Sequence, residues 1–147
     1  MQRTRTVYNF KNTCQNCFND IELPLLGEYS EGEVILQTKD GQDFYIAELI
    51  ENTTFDFIVK ALNDGVEIKR EEADASKVLT LLADRINGKE FILDYPICPI
   101  CKKRLTYFTD NLRTTQKGLR FATWTDFESL TRGEKINRIK KVVQQVT

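Results

Sequence analysis

Apolar and polar positions recur with clear periods along most of the chain. Thr4–Phe10 is rich in β-favouring residues, with Thr6, Tyr8 and Phe10 at period two, and reads as a strand. Phe18 to Leu23 reads as a returning strand stopped by Pro24. Glu33–Thr38 and Asp43–Leu49 flank Lys39-Asp40-Gly41-Gln42, where Asp-Gly predicts a type I′ hairpin. Phe55, Ile58, Val59 and Leu62 fall at i, i+3, i+4 and i+7, the stripe of a helix capped by Thr54 and stopped by Gly65. Val66–Lys69 reads as a short strand. A second helix opens at Asp74 or Ser76, turns Val78, Leu82 and Ile86 inward, and ends at Asn87-Gly88. Phe91–Tyr95, Leu105–Phe108 and Gly118–Trp124 read as further strands. Thr125–Glu128 and Thr131–Glu134 both match the capping box. The second opens a last helix with Ile136, Ile139, Val143 and Val146 on one face and Arg138, Lys140 and Lys141 off it.

This mixture of periods predicts an α+β protein, and 147 residues fit one domain, 1–147, with room for a core. At 41% hydrophobic and 29% charged, the composition is that of a folded domain. No run approaches the roughly 18 apolar residues of a membrane span. The N-terminus lacks the apolar stretch of a secretory signal, so a cytoplasmic location is expected.

All four cysteines fall in two Cys-x-x-Cys turns, Cys14-Gln15-Asn16-Cys17 and Cys98-Pro99-Ile100-Cys101. Each turn presents two sulfurs from one tight loop. Two such turns fill a tetrahedral shell, and thiolates about 2.3 Å from the metal suit zinc. The expectation is a closed structural zinc site of Cys14, Cys17, Cys98 and Cys101, formed by both ends of the chain. A reducing compartment favours metal over disulfides. The competing thiol-redox reading wants a helix start after the turn, to lower the thiol pKa, whereas strand-forming residues follow both turns. Histidine is absent, which excludes imidazole bases and mixed Cys/His shells. No nucleophile–base set stands out, so no enzyme is expected.

The strand, Cys-x-x-Cys, strand layout over residues 4–23 and 91–108 resembles the zinc-ribbon group and its rubredoxin-like relatives. Cys98-Pro99-Ile100-Cys101-Lys102 is similar to their Cys-Pro-x-Cys knuckle. Those families commonly place glycine after the second cysteine; here Phe18 and Lys102 stand there. The resemblance implies a discontinuous zinc ribbon with halves at 4–23 and 91–124. An α/β segment, 24–90, carrying a β-hairpin and two helices, is inserted between them, and 131–147 forms a C-terminal amphipathic helix. The wide spacing and missing turn glycines argue against an electron-transfer iron site.

A net charge of −1 conceals strong asymmetry. Residues 1–17 carry three cations and no acids; 18–101 carry 7 cations against 18 acids; 102–147 carry 11 against 4. The acids of the middle, with Glu28, Glu31, Asp40 and Asp43 around the hairpin, predict a surface for a basic protein partner, as in an immunity-type inhibitor or an adaptor. The alternative is nucleic-acid binding by the basic third. There Lys102, Lys103, Arg113, Lys117 and Arg120 would take phosphates, and Tyr107, Phe108, Phe121 or Trp124 would stack on bases. Ordinary solvated charge and packed aromatics compete with both readings.

Overall fold

A computed structural model describes residues 4–26, 32–64, 75–93, 95–105 and 113–146. Five strands form one sheet: β1 (Thr4–Thr13), β2 (Asp20–Leu25), β3 (Glu33–Gln37), β4 (Phe44–Glu48) and β5 (Arg113–Phe121). Their order is β2-β1-β5-β4-β3, antiparallel throughout except for the parallel pair β4–β5. The helices are α1 (Thr53–Asp64), α2 (Ala75–Leu82), the single turn α3 (Thr125–Glu128) and α4 (Arg132–Val146). No helix among the described residues is long and apolar enough to cross a membrane.

The hairpin strands belong to the same sheet as the strands from both ends of the chain. β5, from the last third of the chain, runs between β1 and β4 and joins both ends to the middle in one sheet. The sheet curls strongly, as right-handed twist promotes. Arg5 on β1 reaches Glu33 on β3, 3.1 Å away, although β5 and β4 lie between those strands. Val7, Leu119, Ile46 and Ile35 from four strands close one buried cluster inside the curl. On the other face of β3 and β4, Leu36 and Ala47 meet Ile58 and Leu62 of α1, Val78, Leu79 and Leu82 of α2, and Ile139, Val142 and Val143 of α4. Removing one such buried Leu or Ile side chain would cost about 2–5 kcal/mol.

Several local expectations change under tertiary pressure. Pro24 does not stop β2 but pairs with Asn9 inside it. β2 is an edge strand, where a missing N–H costs little. The Asp40-Gly41 turn is not type I′: only Gly41 has positive φ, +77°, and the Gly41 N–H donates to the Thr38 carbonyl at 2.8 Å. The type I′ geometry falls instead at Asn87-Gly88, with φ of +50° and +77° between paired Ile86 and Lys89. α2 accordingly ends at Leu82, well before Asn87-Gly88.

Caps change as well. Asn52, not Thr54, caps α1, its side-chain oxygen accepting from the Phe55 N–H at 3.0 Å; Thr54 turns to Glu128. That draws Glu128 away from any box at Thr125. The start of α3 is served instead by Asp84, whose carboxylate accepts from the Thr125 and Asp126 N–H groups. The box at Thr131–Glu134 forms as expected, with reciprocal bonds of 3.1 and 3.3 Å, and Ile136, Ile139 and Val143 are buried below it.

The described residues of the strand expected at Phe91–Tyr95, 91–93 and 95, form no strand. Phe91 makes a lone bridge to Thr38, and the chain then bends towards the second turn. The strand expected at Gly118–Trp124 starts earlier, at Arg113, and ends at Phe121. Gly65, Val66–Lys69, Asp74 and residues 106–108 lie outside the described residues.

Candidate metal centre

Each cysteine pair sits on a turn of the same build. After β1, the Cys14 N–H donates to the Asn19 carbonyl and the Phe18 N–H to the Cys14 carbonyl, both at 2.9 Å. After Ile97, the Cys98 N–H donates to Lys103 at 2.9 Å and the Lys102 N–H to Cys98 at 2.8 Å. Phe18 and Lys102 close these turns with φ of +62° and +64°. These are the two positions where a glycine was missing, and the side chains adopt the left-handed backbone without one. The N–H groups of Asn16 and Ile100 point at Cys14 Sγ and Cys98 Sγ, 3.3 and 3.4 Å away.

A register shift in β1 between Tyr8 and Phe10 aims the first pair. Before it Val7 points inward; after it Asn12 and Cys14 do, so alternation passes from odd to even numbers. The second pair is held by the β3–β4 hairpin. Gln37, fully buried at the end of β3, accepts from the Ile97 N–H at 2.8 Å and donates to the Ile97 carbonyl at 3.0 Å and the Gly41 carbonyl at 3.1 Å. Gln42 donates to the Pro99 carbonyl at 2.8 Å. Gly41 lies so close that a Cβ there would sit 3.0 Å from the Pro99 α-carbon. The first turn touches the second through Asn16, whose amide donates to the Arg104 carbonyl at 3.3 Å.

The four sulfurs converge. All lie within 4.8 Å of one another, with Cys14 Sγ 3.7 Å from Cys101 Sγ and Cys17 Sγ 3.8 Å from Cys98 Sγ. A tetrahedron with metal–sulfur bonds of about 2.3 Å has edges of about 3.8 Å, so the spacing fits one cation. It is far from the roughly 2.05 Å of a disulfide. Cys14 and Cys98 are buried, packed with Ile21, Leu23 and Leu105; Cys17 and Cys101 are half-buried.

Their protonation is uneven. N–H and side-chain donors of Asn19 pull the Cys17 pKa down to about 6. Burial pushes Cys98 up to about 11. At Cys14 burial opposes ionisation, yet the N–H groups of Cys17 and Asn16 outweigh it and the pKa falls. A divalent cation would favour the thiolate of all four.

The other expected site residues scatter. Glu28 and Glu31 lie outside the described residues. Asp40 and Asp43 are described and are not open acids: the Lys89 ammonium sits 2.6 Å from Asp40 and 3.1 Å from Asp43. Lys89, the Thr38 hydroxyl and the Gln42 N–H hold the Asp40 carboxyl well below the usual carboxylate range. Of the basic set, Lys102 and Lys103 are exposed on the second turn and Arg120 is exposed on β5. Lys117 lies over the Phe44 ring, 5.2 Å from its centre, and Arg113 opens β5.

Trp124 is core, its indole N–H bound to the Leu79 carbonyl at 2.9 Å, and Phe121 is half-buried; neither is offered as a stacking face. Tyr107 and Phe108 fall outside the described residues. Among the described residues the most exposed aromatic is Phe18, at 77%, which in the sequence carries only the signal of a strand's first residue. Gln37 likewise carries only the signal of a lone amide in the apolar run Val34-Ile35-Leu36.

No protein-family model, curated protein or solved structure matches the chain.

Proposed function

We propose that Cys14, Cys17, Cys98 and Cys101 bind one structural zinc ion, and that the protein is a non-enzymatic, zinc-stabilised binder of another macromolecule. The sulfur–sulfur spacing of 3.7 and 3.8 Å carries the reading, because it matches a tetrahedral thiolate shell. Four protein ligands leave no position for an activated water, so such a centre serves folding rather than chemistry. It would fasten the β1–β2 turn to the second turn, and through Gln37 and Gln42 to the hairpin. An acidic surface for a basic partner loses support at Asp40 and Asp43, which Lys89 already engages.

The test is metal analysis of protein purified without added zinc, followed by cobalt substitution. About one zinc per chain is expected, with the intense visible spectrum of tetrahedral thiolate cobalt. Cys14→Ser and Cys98→Ser should each abolish stoichiometric binding, and chelation should lower thermal stability. Metal-free protein whose melting is indifferent to zinc would refute the reading.

A further inference from the structure

Phe18 is doubly expensive where it stands. Its backbone is left-handed, which costs a non-glycine residue about 1–2 kcal/mol, and its ring is 77% exposed. The left-handed backbone closes the cysteine turn, as it does at Lys102, but that closure does not call for an exposed phenyl ring. On the second turn, exposed Ile100 is followed by exposed Lys102, Lys103 and Arg104, none with an acid partner among the described residues. The Asn16–Arg104 contact keeps the two turns at one end of the molecule.

An exposed ring on one turn, with cations that lack acid partners on the turn held against it, suits one kind of ligand: an extended polyanion with flat faces.

We propose that this surface binds single-stranded nucleic acid. Phe18 stacks on a base, and Lys102, Lys103 and Arg104 take phosphates. The proposal deepens the binder reading above and rests on the turns being held together.

Fluorescence anisotropy of the full, zinc-loaded chain with labelled oligo-dT and oligo-U at low salt tests it. Measurable binding is expected, with affinity falling as salt rises. Phe18→Gly is the decisive variant. It relieves the left-handed strain, so its melting temperature should hold or rise, while affinity drops roughly 5- to 150-fold, the worth of one stacked base. Lys102→Ala with Lys103→Ala should reduce the slope of log affinity against log salt by about 1.4, two phosphate contacts on a single strand.

No oligonucleotide binding at low salt would overturn the proposal. So would equal binding to polyglutamate with no effect of Phe18→Gly, which would mark a generic cationic patch or a site for acidic protein. Zinc content is measured on every sample. One zinc per chain without oligonucleotide binding sinks this surface alone; Phe18-dependent binding by protein that takes up no zinc when it is supplied sinks the metal reading alone.

Discussion

Gln37→Leu should loosen the metal centre from outside its ligand shell. Leucine is close to glutamine in size, so no cavity opens. What goes is the set of three hydrogen bonds that the amide makes with the Ile97 N–H, the Ile97 carbonyl and the Gly41 carbonyl. Each bond is worth about 1 kcal/mol net, and a buried group left unpaired costs about 1–3 kcal/mol. Ile97 is only half-buried, so water recovers part of its loss. A total of about 3 kcal/mol follows, a fall in melting temperature of roughly 6–12 °C for a chain of this size. Ile97 directly precedes Cys98, so zinc affinity should fall as well, by roughly 10- to 100-fold as for other supports of ligand geometry.

Thermal unfolding in saturating zinc, with zinc competition against a chromophoric chelator, measures both. Gln37→Glu should be worse at neutral pH, since a carboxylate would face two carbonyl oxygens. Burial raises such a group's pKa, so the deficit should shrink as pH falls and the protonated acid regains a donor. If Gln37→Leu melts within 2 °C of the parent, with zinc competition unchanged, the amide does not hold the second turn and the reasoning fails.

Two further substitutions probe the surroundings. Lys102→Gly replaces a residue at φ +64° with the one that adopts it freely. The relief of about 1–2 kcal/mol exceeds the extra unfolded-state entropy of about 0.5–1 kcal/mol. A small rise in melting temperature is therefore expected in zinc-saturated protein, and a fall would show that the lysine side chain is needed there. Asp84→Ala removes the acceptor for the Thr123 hydroxyl at 2.6 Å and for the N–H groups of Thr125 and Asp126, at a cost of about 2 kcal/mol. Although burial opposes its ionisation, those donors hold the Asp84 carboxyl below its ordinary value. The stabilisation is thus present above the unfolded-state pKa of about 3.9 and is lost as pH falls through the folded value. Denaturant titrations should show a parent–variant difference that is flat from pH 7 to about pH 5 and shrinks in stronger acid; a difference that widens in acid would contradict the assignment.

The parts of the fold legible in the sequence are those whose cause is local. The stripe of Ile58 and Leu62, the box at Thr131 and Glu134, and the two cysteine turns each carry their signal within a few residues. The errors arise where a distant residue takes over a local role. Asp40-Gly41 has the composition of a type I′ turn. However, the Asp40 carboxylate accepts from the Thr38 hydroxyl at 2.6 Å and the Gln42 N–H at 3.0 Å, and Lys89 from 46 residues beyond Asp43 clamps the loop. Thr125 and Glu128 match a capping box, yet Glu128 bonds Thr53 and Thr54 while Asp84 supplies the cap. Gln37 is the sharpest case. An amide at the end of an apolar strand looks like a boundary, and only Ile97, 60 positions later, makes it a structural member.

The charge pattern shows the same limit at larger scale. Read linearly, the acids of the middle loop away from two basic ends and wait for a basic partner. In the fold, local cations meet them first: Lys89 takes Asp40 and Asp43, Lys39 and Arg85 take Glu90, and Arg5 takes Glu33. The exposed pairs among these add little stability, but each of them neutralises an acid of the hairpin or its surroundings. Lys102, Lys103 and Arg104 are left without acid partners among the described residues, on the turn held against the one that carries exposed Phe18. A chain of net charge −1 can therefore present a cationic face, because the sign a partner meets depends on which charges the fold has already paired. Zinc bound by four thiolates would carry about −2 at the root of that face, and metal loading would then weaken non-specific attraction of polyanions while fixing the geometry that a specific strand needs.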